Sequence, residues 1–435
     1  MWKMELEARP FRGTFFDLER VGRIKEVIAP PYDVIDDREK ESLLRRSPFN
    51  VVRLILPVNG EEEFWRDAAR TFQRWKEEGI FRVDPEPAVY LYRQAFTLPG
   101  GRELERTGAV VLLRCVDFSQ GVVLPHEMTF PRTRNQQLNL LRACRANFSQ
   151  VFVLVRDEEG LLLRHLGEAA ESRTPFLDFR DEQGVRHRLS RMEETEWALR
   201  LSLLMRDRKA VIADGHHRYE TAVLYAEENA GQGDEHPGRF VSVCVYSSSD
   251  PGLVSLPVHR VLAGVGFPRR GILRELEEYF EVEEVPADSL PEAVGRGERT
   301  TFGLLFPGGG VLLTLKPGLK LEELVAGEHS PGWKTLDVSI LHHLVISRVL
   351  GEDPVLLAEV GKLTFTPWAE EAMEKVGSGE AEAAFLVRPT PLEVMWELAE
   401  KGERMPHKST YFYPKLPSGL VIYDHATGLA REEGT

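Results

Sequence analysis

The sequence predicts a mixed α/β (α+β) protein of more than one domain, and three observations predict it. Short β-rich apolar runs alternate with stretches of helical period along all 435 residues. One hydrophobic core rarely serves so long a chain, so roughly two to four domains are expected. Hydrophobic residues make up 42% and charged residues 29%, a balance that supports packed cores and excludes wholesale disorder. Three regions follow: 1–120, an N-terminal α/β region packed on the core; 121–250, the most orderly part; and 251–435, a C-terminal α/β region. The turn-rich break Ser247-Ser248-Ser249-Asp250-Pro251-Gly252 places the second boundary.

The elements justify this in order. Val27-Ile28-Ala29-Pro30-Pro31-Tyr32-Asp33 is forced extended, because two prolines fix φ and remove two donors. Val51 to Leu56 reads as a strand closed by Pro57. Phe64, Ala68, Phe72 and Trp75 share one helical face, and Gly79 ends that helix. Ala88 to Leu98 and Thr107 to Phe118 flank Pro99-Gly100-Gly101 and predict a hairpin. A helix is expected over about 135–145, a strand over 151–155, a helix over 193–205 and a strand over 209–213. Helical period returns from Tyr219 to Glu228, followed by a strand over 239–246. In the last third, 271–280 and 336–350 read as amphipathic helices and 301–315 as two strands around Pro307-Gly308-Gly309-Gly310. Residues from Arg431 on read as a frayed tail.

Composition narrows the function classes. A net charge of −14 gives non-specific nucleic-acid binding no electrostatic footprint. The three cysteines, Cys115, Cys144 and Cys244, form no CxxC pair, which speaks against thiolate zinc and disulfide scaffolds and fits a reducing, cytoplasmic setting. Met1 to Glu7 has early acids and no apolar core, unlike a signal peptide, and no apolar run approaches the roughly 18 residues of a membrane span.

The segment richest in chemistry is Ala213-Asp214-Gly215-His216-His217-Arg218-Tyr219-Glu220. A strand ends at Asp214, Gly215 permits a tight turn and close ligand approach, and a helix begins at once. The helix start presents unpaired N–H groups backed by the positive end of its dipole, a setting that suits phosphate. Arg218 adds bidentate contacts, His216 and His217 can donate, and Asp214 can hold Mg²⁺ or a substrate ammonium. The plain alternative stays open: Asp-Gly is a common turn, and adjacent histidines can simply cap a helix.

A second constellation is Val122-Val123-Leu124-Pro125-His126-Glu127, an apolar strand whose end exposes His126 and Glu127. A carboxylate there can accept a proton from a hydroxyl; a solvated loop glutamate is the alternative. His342 and His343 are adjacent on a helix, which predicts one packed and one solvated and argues against a shared metal site. His259-Arg260 ends a strand, in a pocket or on the surface. Lys408-Ser409-Thr410 offers an ammonium and two hydroxyls that suit a carboxylate or phosphate, or forms a polar loop under Tyr411 and Phe412.

Arg9-Pro-Phe-Arg-Gly, Ile28-Ala-Pro-Pro-Tyr-Asp-Val-Ile, Leu124-Pro-His-Glu, the Ala213 to Ala222 segment and Met405-Pro-His-Lys-Ser-Thr-Tyr-Phe-Tyr-Pro-Lys together resemble the family called domain of unknown function 1015. That resemblance runs nearly end to end. More distantly, residues 121–250 resemble the ParB/sulfiredoxin-like nucleotide-binding fold, in particular its free-serine kinase branch. The resemblance implies catalytic roles for Glu127, as base, and Asp214, beside the reacting groups. It also implies a cofactor-binding phosphate cradle of Gly215, His216, His217 and Arg218. His126, Lys408, Ser409 and Thr410 are the expected substrate-binding residues. A segment around 157–191 separates Glu127 from Asp214 and is expected to loop out.

The expected function is therefore a nucleotide-dependent kinase acting on a small hydroxyl-bearing metabolite, free L-serine above all, with ATP or ADP and Mg²⁺. The alternative is a non-catalytic nucleotide-binding switch or partner-binding protein of ParB-like fold. A sulfiredoxin-like reductase is disfavoured, because its cysteine belongs where Gly215-His216-His217-Arg218 stands. Neither a Walker sequence nor the protein-kinase signatures occur.

Overall fold

Long β-rich runs need partners to satisfy their backbone, and here they find them far along the chain. The structure is a computed structural model that describes residues 5–58, 63–193, 195–266 and 269–429. It divides into one unit of Met1–Pro125, Thr129–Leu253 and Pro414–Thr435, and a second of His126–Met128 and Val254–Tyr413. The expected tail from Arg431 lies outside the described residues.

In the first unit nine strands form one mixed sheet. In chain order these are β1 (Ala8–Arg9), β2 (Val89–Thr97), β3 (Glu103–Arg114), β4 (Val123–Leu124), β5 (Val151–Val155), β6 (Leu177–Arg180), β7 (Arg186–Met192), β8 (Ala210–Asp214) and β9 (Phe240–Ser247). Their spatial order is β4-β8-β5-β9-β3-β2-β7-β6, with β1 paired to β3. The β2–β3 hairpin forms around Gly100 and Gly101, both at positive φ. Regions 1–120 and 121–250 thus contribute strands to one sheet. The segment 157–191 does not loop out: it forms the helix Leu161–Ser172 and then β6 and β7, which extend the sheet beyond β2.

Five helices matter for the site's surroundings: α1 (Val52–Ile55), α2 (Phe64–Glu77), α3 (Pro131–Cys144), α4 (Thr195–Arg206) and α5 (His216–Glu228). Phe64, Ala68, Phe72 and Trp75 are the buried face of α2, as their spacing predicts. Val51 to Leu56 is not a strand. Asn50 turns it into one helical turn, since its Oδ1 accepts the Val52 N–H while its amide donates to the Glu26 and Ile28 carbonyls. The segment from Pro414 completes this unit. Tyr423–Asp424 pairs with Ala146–Asn147, and Leu416, Leu420, Val421, Ile422 and Tyr423 are buried.

The second unit is built on a six-stranded antiparallel sheet. Its strands are β10 (His259–Leu262), β11 (Phe280–Glu284), β12 (Thr301–Phe306), β13 (Gly309–Leu315), β14 (Leu363–Thr366) and β15 (Ala383–Leu386), in the order β11-β13-β12-β15-β10-β14. The expected β12–β13 hairpin turns at Gly308. The helix expected over 336–350 is α-helical only from Asp337 to Ile340 and continues as a π-helix over Leu341–Val349. Val254–Leu256 pairs with Tyr411–Tyr413 in a separate ribbon. Among the described residues no helix is long and apolar enough to cross a membrane.

Candidate functional site

At the end of β8 the ladder with β5 shifts register between Ile212 and Asp214, a bulge that re-aims the Asp214 side chain. Gly215 follows at φ +90, and a Cβ there would lie 2.8 Å from the Arg218 guanidinium. Glycine suits the positive φ, and a Cβ there would displace the Arg218 guanidinium. The 13-residue helix α5 starts at His216.

Asp214 sits between two cations. Arg218 Nη2 donates to its Oδ2 at 2.8 Å, and the Lys415 ammonium pairs with its Oδ1. Arg218 Nη1 donates to the Gln150 carbonyl at 2.6 Å, while its buried Nε has no hydrogen-bond partner among the described residues. Two cations thus meet on one carboxylate at the α5 N-terminus, whose dipole adds a positive field. Arg218 also lines a small cleft with Tyr32, Gln137, Asn147, Ser149 and Thr221. Burial pushes the Tyr32 phenol up, Asp33 adds to this, Arg218 opposes it and Asp214 adds again, so the phenol stays a neutral donor. Pro31 delivers Tyr32 from its extended backbone into a single 3₁₀ turn.

The two histidines differ. His216 is buried in the first turn of α5. His217 Nε2 accepts the Phe130 N–H at 2.8 Å and its ring stacks on Phe130, so that nitrogen is an acceptor, and it caps the start of α3. Glu220 accepts from Thr129 Oγ1 at 2.5 Å and from Arg134 at 3.3 Å. At the other ends of these helices Arg142 Nε donates to Glu228 at 3.0 Å. Helices α3 and α5 therefore run in the same direction and start side by side.

The second unit gathers the other predicted residues. His126 and Glu127 are not exposed: His126 is fully buried, and the Glu127 side chain keeps 13% exposure. The backbone explains this, because Glu127 bridges to Met405 and the His126 carbonyl accepts the Met405 N–H at 2.8 Å. His126 Nε2 pairs with Thr410 Oγ1 at 2.9 Å, and His407 Nδ1 lies 3.1 Å from Glu127 Oε1. Ser409 is buried and donates to the Pro406 carbonyl at 2.5 Å. Lys408, half-buried, has φ +57.

His259 and Arg260 are both buried rather than at the surface. Burial pushes Arg260 down to about 9, with the Glu127 charge acting the other way. Arg260 donates to the Val258 carbonyl, to Lys408 O at 3.0 Å and to His342 Nε2 at 3.2 Å. Burial, then Arg260, holds His342 well below the ordinary histidine range, so it stays a neutral acceptor. His343 is half-buried and meets Trp333 edge to face.

The sequence assigns no site role to Lys415, Gln150 and Tyr32 around Asp214 or to His407 beside Glu127, and it shows Arg260 and His342 without bringing them to Lys408. Tyr32 and Lys415 stand inside quoted motifs, which was the available signal. Among the described residues no three carboxylate, imidazole or thiolate side chains form a metal cluster. Both Asp214 oxygens already face cations, so Asp214 does not fit an ion cage. The cysteines are unpaired, and burial pushes each thiol up to about 12, which leaves them inert as nucleophiles.

Among solved structures, free serine kinase in complex with AMP is 16% identical with a TM-score of 0.36, the match covering 70% of this chain and 86% of that one. A mutant of free serine kinase in complex with ADP gives 15%, 0.37, 70% and 87%. A conserved hypothetical protein from Pyrococcus furiosus gives 15%, 0.37, 71% and 93%. No curated protein matches the sequence. The family model described as "Protein of unknown function (DUF1015)" matches residues 8–339, more than half of the chain, and the protein belongs to that family.

Proposed function

We propose that the protein is a nucleotide-dependent small-molecule kinase with free L-serine as acceptor. The observation that carries the proposal is the Lys415–Asp214–Arg218 corner at the start of α5, beside the Tyr32 cleft. A helix N-terminus that carries two cations, with the Arg218 Nε unpartnered among the described residues, suits the phosphates of ATP or ADP. Phosphoryl transfer asks mainly for positioning and electrostatic stabilisation. Gly215 lets the phosphates approach the backbone, Arg218 and Lys415 hold charge, and Asp214 orients both cations. His216 and His217 shape the first turn. Mg²⁺, if it accompanies the nucleotide, would supply charge screening of the phosphates, and Asp214, with both oxygens on cations, would not hold it.

Glu127 is the proposed base for the acceptor hydroxyl, and Lys408 a proposed substrate contact. His126, Ser409 and Thr410 support the same turn through their hydrogen bonds. L-Serine and a cytoplasmic setting come from the sequence: the first from the resemblance, the second from the three cysteines. A nucleotide-binding switch is the second reading. It is favoured by the pairing of Arg218 and Lys415 with Asp214, which an incoming phosphate would rearrange. Incubating pure protein with labelled nucleotide and a panel of amino and hydroxy acids separates the two. Serine-dependent transfer supports the kinase, and tight nucleotide binding without any transfer supports the switch.

A further inference from the structure

We infer that Arg106 and Gln94 are positioning residues that aim the Lys415 ammonium at Asp214. All four lie in the first unit. Arg106 and Gln94 stand directly opposite each other on β3 and β2, and both are buried. Arg106 Nε and Nη2 donate to Gln94 Oε1 at 3.0 and 2.7 Å, and Nη2 also donates to the Pro414 carbonyl. Gln94 Nε2 donates in turn to the Lys415 carbonyl at 3.1 Å. Pro414 to Pro417 lies in no strand or helix, so its carbonyls depend on donors from elsewhere. Two consecutive carbonyls, one of them that of Lys415, are thus tied to one buried pair.

Lys415 reaches from that pair to the corner. Its carbonyl is on Gln94 of β2 and its ammonium on Asp214 of β8, with β5, β9 and β3 between those strands. A row of side chains fills the span. Phe152 is the Cα partner of Asp214, and its ring meets Tyr246 at 4.6 Å. The Arg106 guanidinium lies over both rings, at 4.6 Å from Phe152 and 5.1 Å from Tyr246. Gly108 makes room for the row, because a Cβ there would lie 2.7 Å from the Tyr246 ring. Stacking fixes the plane of the guanidinium, and with it the direction of the fork that meets Gln94 and Pro414. A lysine ammonium on a flexible four-carbon stem aims no better than its backbone is held.

Acylation of the full chain with acetic anhydride, read lysine by lysine by mass spectrometry, tests this without any ligand. Lys415 pairs with Asp214, and Lys76 pairs with Asp424 further along the same C-terminal segment. Arg106→Lys removes the planar fork. Gln94→Glu keeps the size and the acceptor for Arg106, whose charge keeps that carboxylate ionised, and loses the donor to Lys415. It carries the test even where Arg106→Lys does not fold. Each variant should raise the Lys415 rate severalfold and leave the Lys76 rate at its wild-type value. An unchanged Lys415 rate overturns the inference, and so do equal rises at both lysines, which would mean that the pair only holds the segment in place.

The consequence for binding rests on the phosphate site proposed above. Wild type should bind ADP more tightly than adenosine, and Lys415→Met should lower that ratio about tenfold, the scale of one charge-assisted bond. Gln94→Glu should lower the ratio as well, and in the Lys415→Met background it should lower it no further. Additive losses would overturn the inference. If wild type binds ADP and adenosine equally, the phosphate reading fails, and the acylation rates alone decide the role of Arg106 and Gln94.

Discussion

Arg218 does three things at once: it pairs with Asp214, holds the Gln150 carbonyl and lies over Gly215. Its removal should weaken nucleotide binding by about 1.5–3 kcal/mol, roughly ten- to hundredfold. Calorimetry on folded Arg218→Ala checks this, and unchanged affinity would take the corner out of the site. Another residue predicts the acid behaviour. Burial, then His236 and Arg145, pushes His425 down to about 3, and neither ring nitrogen has a partner among the described residues. In the unfolded chain such a ring titrates near about 6.5. Below that pH the unfolded chain binds a proton that the folded one refuses, so stability is full above about 6.5 and falls towards 3. His425→Phe should flatten the acid slope of the denaturant midpoint; an unchanged slope would show that other groups set it. At this scale the sequence shows Asp214 and Arg218, because they stand four apart. It hides Lys415, 201 residues from Asp214, and the His126–Thr410 pair, 284 residues apart.

At the scale of elements, β8 running through Gly215 into α5 is legible because an apolar strand, a glycine and a helical period occur together. Gly215→Ala should cost about 1–3 kcal/mol, from the strain at φ +90, and displace the Arg218 guanidinium. Thermal unfolding and nucleotide titration would both register it, and a neutral effect on both would mean that the turn relaxes freely. Val51 to Leu56 shows where local reading ends. A short apolar run suits strand and buried helix alike, and the Asn50 side chain decides by bonding to Glu26 and Ile28. The π-helix at Leu341–Val349 carries no periodicity signal that separates it from an α-helix in so short a stretch.

For the whole molecule, the hidden fact is which distant strands share a sheet. Nothing local to 1–120 announces that β2 and β3 join β5, β8 and β9, because strand pairing depends on tertiary packing. The segment from Pro414 likewise reads as a C-terminal stretch yet completes the first unit. Ending the chain after Tyr413 removes Lys415 from Asp214, the Tyr423–Asp424 strand and five buried apolar side chains, Leu416, Leu420, Val421, Ile422 and Tyr423. Such a chain should lose cooperative unfolding of the first unit and nucleotide binding together. A truncated chain that still binds nucleotide with full affinity would contradict the role given to Lys415.

The kinase assignment is tested most directly by measuring nucleotide binding and phosphoryl transfer to L-serine side by side in wild type and Glu127→Gln. The substitution keeps shape and most hydrogen-bonding capacity but removes the basic oxygen. Wild type should form phosphoserine, and the variant should bind nucleotide nearly as well while transferring about 10²–10⁴-fold more slowly. Tight nucleotide binding by wild type with no hydroxyl compound phosphorylated would contradict the account. Transfer that survives Glu127→Gln would leave the enzyme standing and move the base elsewhere, to Asp214 first.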